Sequence, residues 1–343
     1  MTTIADVAAL AGVSVATVSR TLHGSARVDP RTRERVEAAA AQLNYVASPT
    51  AMSLASGRTN VIALVAPLMS RWFFATIVTT IDQELRRHGY HVLLNILDGE
   101  VEGDASGLTR EKFAKRVDGI ISLNVLPNEE ESAMLADLGM PIVAVGVPIG
   151  ATPRVHIDDA AAVRMAVEHL VSLGHRDIGY VGTSDISLAH MSTPAVRVAA
   201  FKEALRSAGL TFRPEWAIAS EWTADAAARR VEGVLRGDRR PTAILAASDE
   251  MAVGVLGAAR WIGLGVPADL SVMGIDDHTF GAVLGLSTIH QDVRAQGRAA
   301  VTLLVEALRG ESRATPTVEV PTYLIARETT APHRGVDPQL VVS

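Results

Sequence analysis

Residues 3–45 read TIADVAALAGVSVATVSRTLHGSARVDPRTRERVEAAAAQLNY, and the rest of the chain is understood through this stretch. Ile4, Val7, Ala8 and Ala11 recur at helical spacing, and Thr3 with Asp6 three residues on has capping-box character. Gly12 ends that helix. Ser14 is a second N-cap, opening a helix over Val15 to Leu22, and the short connection with its glycine lets two helices cross steeply. Asp29 followed by Pro30 is an N-cap with proline at the first helical position, and Val36, Ala40 and Leu43 give the third helix a face that closes a small core.

The second helix of such a unit is the one shaped to enter a DNA major groove. Val15 and Ala16 lie in its first turn and Arg20 about one turn further on, so these side chains face base edges if the helix enters N-terminus first. Arg20 can bond guanine with two donors, Val15 and Ala16 offer apolar contact to a thymine methyl, and Thr17 and Ser19 suit phosphates. Across the head, the candidate DNA contacts are Thr3, Ser14, Val15, Ala16, Thr17, Ser19, Arg20, Arg27, Thr32 and Tyr45. An amphipathic helix with Val18 in a core explains VSVATVSR alone, but not three capped helices in succession.

At 343 residues the chain is long enough for two or three domains and a large core. It has no cysteine, so disulfides and thiolate metal sites are excluded and a reducing compartment fits. No stretch approaches the roughly 20 apolar residues of a membrane span, and the N-terminus reads as a helix cap rather than a signal sequence. The expectation is a soluble cytoplasmic protein with no membrane partner. Residues 1–58 hold six arginines against Asp6, Asp29, Glu34 and Glu37, a net +2, which leaves −8 for the remainder of a chain whose total is −6. The head is thus basic relative to an acidic body, as phosphate contact at one end requires.

The runs DVAALAGVSVATVSRTL, VDPRTRERVEAAAAQLNY and SPTAMSLASGRTNVIALV are similar to the start of bacterial transcription regulators of the LacI/GalR family, and the resemblance continues through most of the chain. Residues 50–56 form a possible helix ended by Gly57, too short to be stable alone in water. The resemblance implies a hinge helix there that folds when two copies meet on DNA, with Leu54 at the position of a leucine that wedges into the minor groove. It also implies a homodimer whose two heads read a near-palindromic operator. Some members form tetramers through a C-terminal leucine heptad helix. Here the tail PHRGVDPQLVVS has two prolines and no heptads, so a dimer is expected.

From Asn60 onward short apolar runs alternate with helical patterns. Strands are expected at Val61 to Ala66, His91 to Leu97, Gly119 to Leu123 and Pro141 to Val147, with a helix over Ile77 to Gly89. The alternation restarts with helices at Ala160 to Leu173, Ala195 to Ala208 and Glu250 to Ile262, and strands at Asp177 to Val181, Ala243 to Ala246 and Ser271 to Ile275. This reads as two parallel sheets covered by helices, an α/β sensor of two parallel-sheet subdomains behind an all-α helix-turn-helix head. The resemblance implies the type I periplasmic-binding-protein-like form of it, with a ligand held between the lobes at strand ends. The expected organisation is a head over 1–46, a hinge helix or linker over 47–59, an effector-binding and dimerisation domain over 60–330 and a tail over 331–343. Within the third part, an N-subdomain takes about 60–158 plus 289–318 and a C-subdomain about 159–288 plus 319–330.

The resemblance further implies effector contacts from Phe73, Phe74, Asn124, Arg197, Trp222, Ser248 and Asp276. Arg197 stands where the family has an arginine that holds ligand hydroxyls or a carboxylate. Asp276 matches an acid that accepts from sugar hydroxyls and is expected to face Arg197. Trp222, Phe73 and Phe74 fall where aromatic rings line the cleft. Two positions depart from the family pattern: Ser248-Asp249 stands where many members have Asn-Asp, and Gly146 replaces an acid or polar residue. His175, after Gly174, is expected to meet carbonyls at a helix C-terminus.

Catalytic motifs are absent: there is no G-x-S-x-G, P-loop or H-E-x-x-H. The acidic run from Asp98 to Asp104 resembles a calcium loop, yet its twelfth position is Thr109 rather than Glu, and His88 and His91 have no third ligand nearby. No enzyme activity, cofactor or metal is expected. The reading is a sequence-specific regulator that represses carbohydrate genes and is relieved by a sugar or sugar derivative. A co-repressor-type regulator with a non-sugar ligand and a sugar-binding protein without a DNA role are the alternatives.

Overall fold

The computed structural model describes residues 2–22, 28–45, 57–67, 69–97, 107–182, 193–311 and 315–333. Arg27, the proposed hinge helix with Leu54, the acidic run 98–104 and all of the tail after His333 lie outside these residues.

The head is three helices, α1 (Ile4–Ala11), α2 (Val15–Leu22) and α3 (Pro30–Gln42). Thr3 caps α1 in a reciprocal box: its hydroxyl accepts from the Asp6 N–H at 3.3 Å, and the Asp6 carboxylate accepts from the Thr3 N–H at 2.8 Å. These bonds hold the Asp6 carboxyl below its usual range. Gly12 takes the left-handed conformation at φ 66° that ends α1. The chain then turns through 102° into α2, the steep crossing that a helix-turn-helix uses. Ser14 caps α2 by accepting the Thr17 N–H at 3.2 Å, and Asp29 caps α3 by accepting the Thr32 N–H at 3.1 Å. Val7, Ala8, Ala11, Val18, Val36, Ala39 and Ala40 close the core, with Leu43 and Tyr45 packed at its margin.

The body has two lobes. The first contains β1 (Val61–Ala66), α4 (Trp72–Arg87), β2 (His91–Ile96), the single turn α5 (Arg110–Phe113), β3 (Gly119–Leu123), α6 (Glu129–Asp137), β4 (Ile142–Val145) and β5 (Arg154–His156). The second contains α7 (Asp159–Ser172), β6 (Ile178–Gly182), α8 (Thr193–Ser207), β7 (Ala217–Ala219), α9 (Ala224–Leu235), β8 (Ala243–Ala246), α10 (Asp249–Trp261), β9 (Ser271–Asp276) and β10 (Ser287–Gln291). The chain then returns to the first lobe with α11 (Val293–Leu308) and β11 (Thr317–Glu319), and ends in the second with β12 (Thr322–Ile325).

The strand orders are β11-β5-β4-β3-β1-β2 and β12-β10-β9-β8-β6-β7. The central pairs are parallel, Leu64 opposite Ile121 and Ile121 opposite Val143 in one sheet, Ile244 opposite Val272 in the other. The second sheet departs from the expected all-parallel form at one edge, where β12 runs antiparallel to β10. A short return of the chain from the other lobe gives it that direction. Helix α4 starts at Trp72, five residues before the expected Ile77. Its first turn carries three aromatic residues, Trp72, Phe73 and Phe74, whose packing outweighs the lack of a capping side chain at Arg71. No single helix among the described residues is long and apolar enough to cross a membrane.

Candidate functional site

On the head, Val15, Ala16 and Arg20 share an exposed face of α2, opposite the Val18 and Thr21 side that enters the core. Val15 is 44% exposed, which leaves an apolar side chain without an intramolecular reason for its position. Arg20 is held along the helix by its Nε donating to the Ala16 carbonyl at 3.1 Å. Thr3, Ser14 and Thr32 are occupied in caps, and the Ser14 and Thr17 hydroxyls are 2.9 Å apart. Ser19 is half-buried on the same helix.

In the body, Phe73, Phe74, Asn124, Arg197, Trp222, Ser248 and Asp276 all line one cavity. The elements explain the convergence. Asn124 follows β3, Gly146 follows β4, Ser248 follows β8, and Asp276 and Gln291 end β9 and β10, so the polar groups gather at the carboxyl ends of parallel strands.

Arg197 and Asp276 both face this cavity. Both belong to the second lobe, because α8 and β9 cover and form the same sheet. The partner of Arg197 is Asp159 at the start of α7, 2.7 Å from its Nε, and a further guanidinium N–H donates to the Ala247 carbonyl. Burial opposes the Arg197 charge, but Asp159 and Asp276 more than offset it and hold its pKa above the ordinary value. The Asp276 carboxyl is pushed up to about 8, chiefly by burial, with Arg197 acting against the shift and Asp249 adding to it. Its backbone sits at φ 141°, a region non-glycine residues rarely adopt. The carboxyl is anchored there by the Gln291 amide, 2.6 Å away.

The first lobe reaches the second through Arg71 and Trp72. The Arg71 guanidinium donates to the Trp222 carbonyl, and the Trp72 N–H at the start of α4 donates to the Glu250 carboxylate at 3.3 Å. Burial lowers the Arg71 pKa to about 10, opposed by Glu250, Glu221 and Asp276. Both Arg71 and Arg197 lie over the Trp222 ring, 5.7 and 5.8 Å from its centroid, so this aromatic is stacked on cations. Its buried indole N–H has no partner among the described residues. Phe74 is almost wholly in the first-lobe core and Phe73 is half-buried beside it.

The two departures have local causes. Gly146 is at φ 82°, and a Cβ there would lie 1.7 Å from the Asn124 carboxamide oxygen, so only glycine fits under that side chain. The Ser248 hydroxyl caps α10, accepting the Met251 N–H at 3.3 Å. Asp249, pushed up to about 6 by burial, holds the segment after β9 by accepting from the Thr288 hydroxyl at 2.7 Å and the His278 N–H at 2.8 Å.

Arg71, Asp159, Thr193, Glu250, Gln291 and Gln296 also line the cavity and were not singled out by the sequence reading. Their signal was only their place next to a strand end or a helix start. The His175 ring meets the Thr242 and Ser271 side chains at 2.9 Å and the Ala331 carbonyl at 3.1 Å, rather than helix-end carbonyls. It joins a helix end to two strands and the C-terminal segment.

Two family models match the chain: bacterial regulatory proteins of the lacI family over residues 3–48, and a periplasmic binding protein-like domain over residues 167–330. Catabolite control protein A of Priestia megaterium is 32% identical over 334 residues, covering 96% of this chain and 99% of its own. Among solved structures, the lac repressor dimer bound to operator and the anti-inducer ONPF superposes with a TM-score of 0.84 at 28% identity, covering 96% of this chain and 99% of that one. A complex of the transcriptional regulator CelR with cellobiose reaches 0.68 at 30% identity, covering 96% of this chain and 100% of that one.

Proposed function

Since the chain belongs to the lacI family of bacterial regulatory proteins and is a ligand-responsive, DNA-binding transcription regulator, we propose that it represses carbohydrate uptake or catabolism genes in the cytoplasm and is relieved by a neutral sugar or sugar derivative. The observation that carries this reading is the charge balance of the cavity. Arg197 is matched by Asp159, Arg71 lies beside Glu250, and burial favours the protonated form of Asp276 at neutral pH. Among the described residues no uncompensated charge is left to hold a phosphate or a carboxylate, whereas the Asn124 amide, the Trp222 indole N–H and the Asp276 carboxyl suit hydroxyls. The lac repressor and CelR complexes place anti-inducer and cellobiose, respectively, on proteins of the same fold, which supports a small ligand in this cavity.

In this reading α2 reads base edges through Val15, Ala16 and Arg20, and residues 47–59 act as the hinge with Leu54 as its wedge. Two copies meet along the body. Phe280, Val283 and Leu284, on the segment after β9, are exposed apolar side chains that a second copy would cover, Val283 being 87% exposed. Sedimentation at micromolar concentration should give a dimer, and a tetramer would sink this assembly.

The effector is tested by a thermal-shift panel of ribose, galactose, lactose, cellobiose, glucose 6-phosphate and hypoxanthine, followed by operator titration with each binder. At least one neutral sugar should raise the melting temperature and weaken operator binding by about 1–3 kcal/mol, the usual size of such coupling. Asp276→Ala should lose that response. Binding confined to the phosphate or the base would refute the sugar assignment, and tightened operator binding would make the ligand a co-repressor.

A further inference from the structure

A buried glutamine has a donor end and an acceptor end, and what it offers one neighbour depends on which end another neighbour has taken. Three buried polar side chains form one such chain at the crossover between lobes. Gln296 Nε2 donates to Gln291 Oε1 at 3.0 Å, and Gln291 Nε2 donates to Asp276 Oδ1 at 2.6 Å. Their residues are 2%, 4% and 7% exposed, so water does not substitute for a missing partner. Gln296 stands on α11, which packs into the first-lobe core, while Gln291 and Asp276 end strands of the second sheet.

The donors run from Gln296 towards Asp276. Gln291 has a single carboxamide oxygen, and Gln296 takes it, so Gln291 can turn only its amino end towards Asp276. Asp276 must then accept on Oδ1, and its other oxygen has no hydrogen-bond partner among the described residues. We propose that Gln296 is a positioning residue of the effector site, which from the opposite lobe locks the amide of Gln291 and so leaves Asp276 one oxygen free for a ligand hydroxyl. The role of Asp276 towards a ligand rests on reading this cavity as the effector site. The polarity of the relay does not, and it is measured without ligand.

The test is a titration of the full-length protein carrying carboxyl-¹³C aspartate, with the Asp276 signal assigned by its loss in Asp276→Asn. Gln296→Met removes the donor, keeps the length and adds no charge. Without the lock the Gln291 oxygen can turn to Asp276 and favour its protonated form. The Asp276 midpoint should therefore move up by about 0.5–1 pH unit, the size expected for one exchanged hydrogen bond. The charged and titratable groups facing Asp276 are Arg197 on α8, Asp249 and Glu250 on α10, and Arg71 before α4, and all are retained in the variant.

A double-mutant cycle separates positioning from a general disturbance of the cavity. In a Gln291→Leu background, Gln296→Met should leave the Asp276 midpoint unmoved, because the intermediary is gone. Circular dichroism confirms that each variant is folded, and Gln296→Leu gives the same comparison should the methionine variant melt early. An unchanged midpoint in the single variant, or an equal shift in both backgrounds, overturns the proposal. Neither result touches the effector assignment, which stands or falls on the sugar panel.

Discussion

The helix caps of the head and the tertiary bonds of the body span very different lengths of chain, although the Thr2 hydroxyl also closes the head on the Leu43 carbonyl, 41 residues away. In the head, Thr3 to Asp6, Ser14 to Thr17 and Asp29 to Thr32 are three residues apart, and Arg20 to Ala16 four. In the body, Arg197 to Asp159 spans 38 residues, Arg71 to Trp222 151, His175 to Ala331 156 and Trp72 to Glu250 178. Short spans give the head helices a shape set by neighbours in sequence, with the Val15, Ala16 and Arg20 face of α2 left exposed. Long spans make the cavity a property of how whole lobes are arranged, and a ligand can act on that arrangement through its differential affinity for two such states.

Substitutions that remove one end of a contact test this contrast, and the largest effect is expected in the body. Asp159→Ala leaves Arg197 buried without its nearest anion. Urea unfolding should show the body destabilised by about 3 kcal/mol, the lower end for a broken buried pair because Asp276 remains nearby. Asp29→Ala removes a cap of the local kind, for which the usual cost is about 1 kcal/mol. Equal losses from the two substitutions would erase the distinction.

A second, smaller effect is a pH dependence carried by His175. Burial lowers its pKa to about 4, so the ring is neutral in the fold and protonates in the unfolded chain below about 6.5. The unfolded state therefore binds the extra proton between these values. Stability from this group is complete above pH 6.5 and is lost as pH falls towards 4, by about 2–3 kcal/mol. The difference between the pH profiles of wild type and His175→Gln should show that fall. Parallel profiles from pH 7 to 4 would mean the ring is not held neutral.

The same contrast governs what the sequence made legible. Caps, the glycine stop and the 3.6-residue spacing of Val7, Ala8 and Ala11 are local, so the head was readable to the residue. Most central strands of the body were readable because each is a short apolar run buried in a parallel sheet, as with Val61–Ala66 and Ala243–Ala246. Strands β5, β7, β11 and β12 were not singled out, being short and only partly buried, and neither was β10, which is mostly buried but whose Ser287, Thr288, His290 and Gln291 make no apolar run. Seven cavity residues were found through family resemblance. Asp159 and Gln296 carry no mark in the sequence, since an acid after Asp158 and a glutamine inside a helix are ordinary there. Only the fold shows that one neutralises Arg197 and the other grips Gln291.

The central claim is that α2 reads DNA through a face built by local structure, and selection from random-sequence duplexes tests it most directly. Wild-type protein should enrich a near-palindrome, and titration of that sequence with Arg20→Ala should show a loss of about 1–3 kcal/mol per half-site with relaxed preference at one G·C pair. Failure to enrich any sequence, or an Arg20→Ala protein that keeps full affinity and the same base preference, would contradict the account.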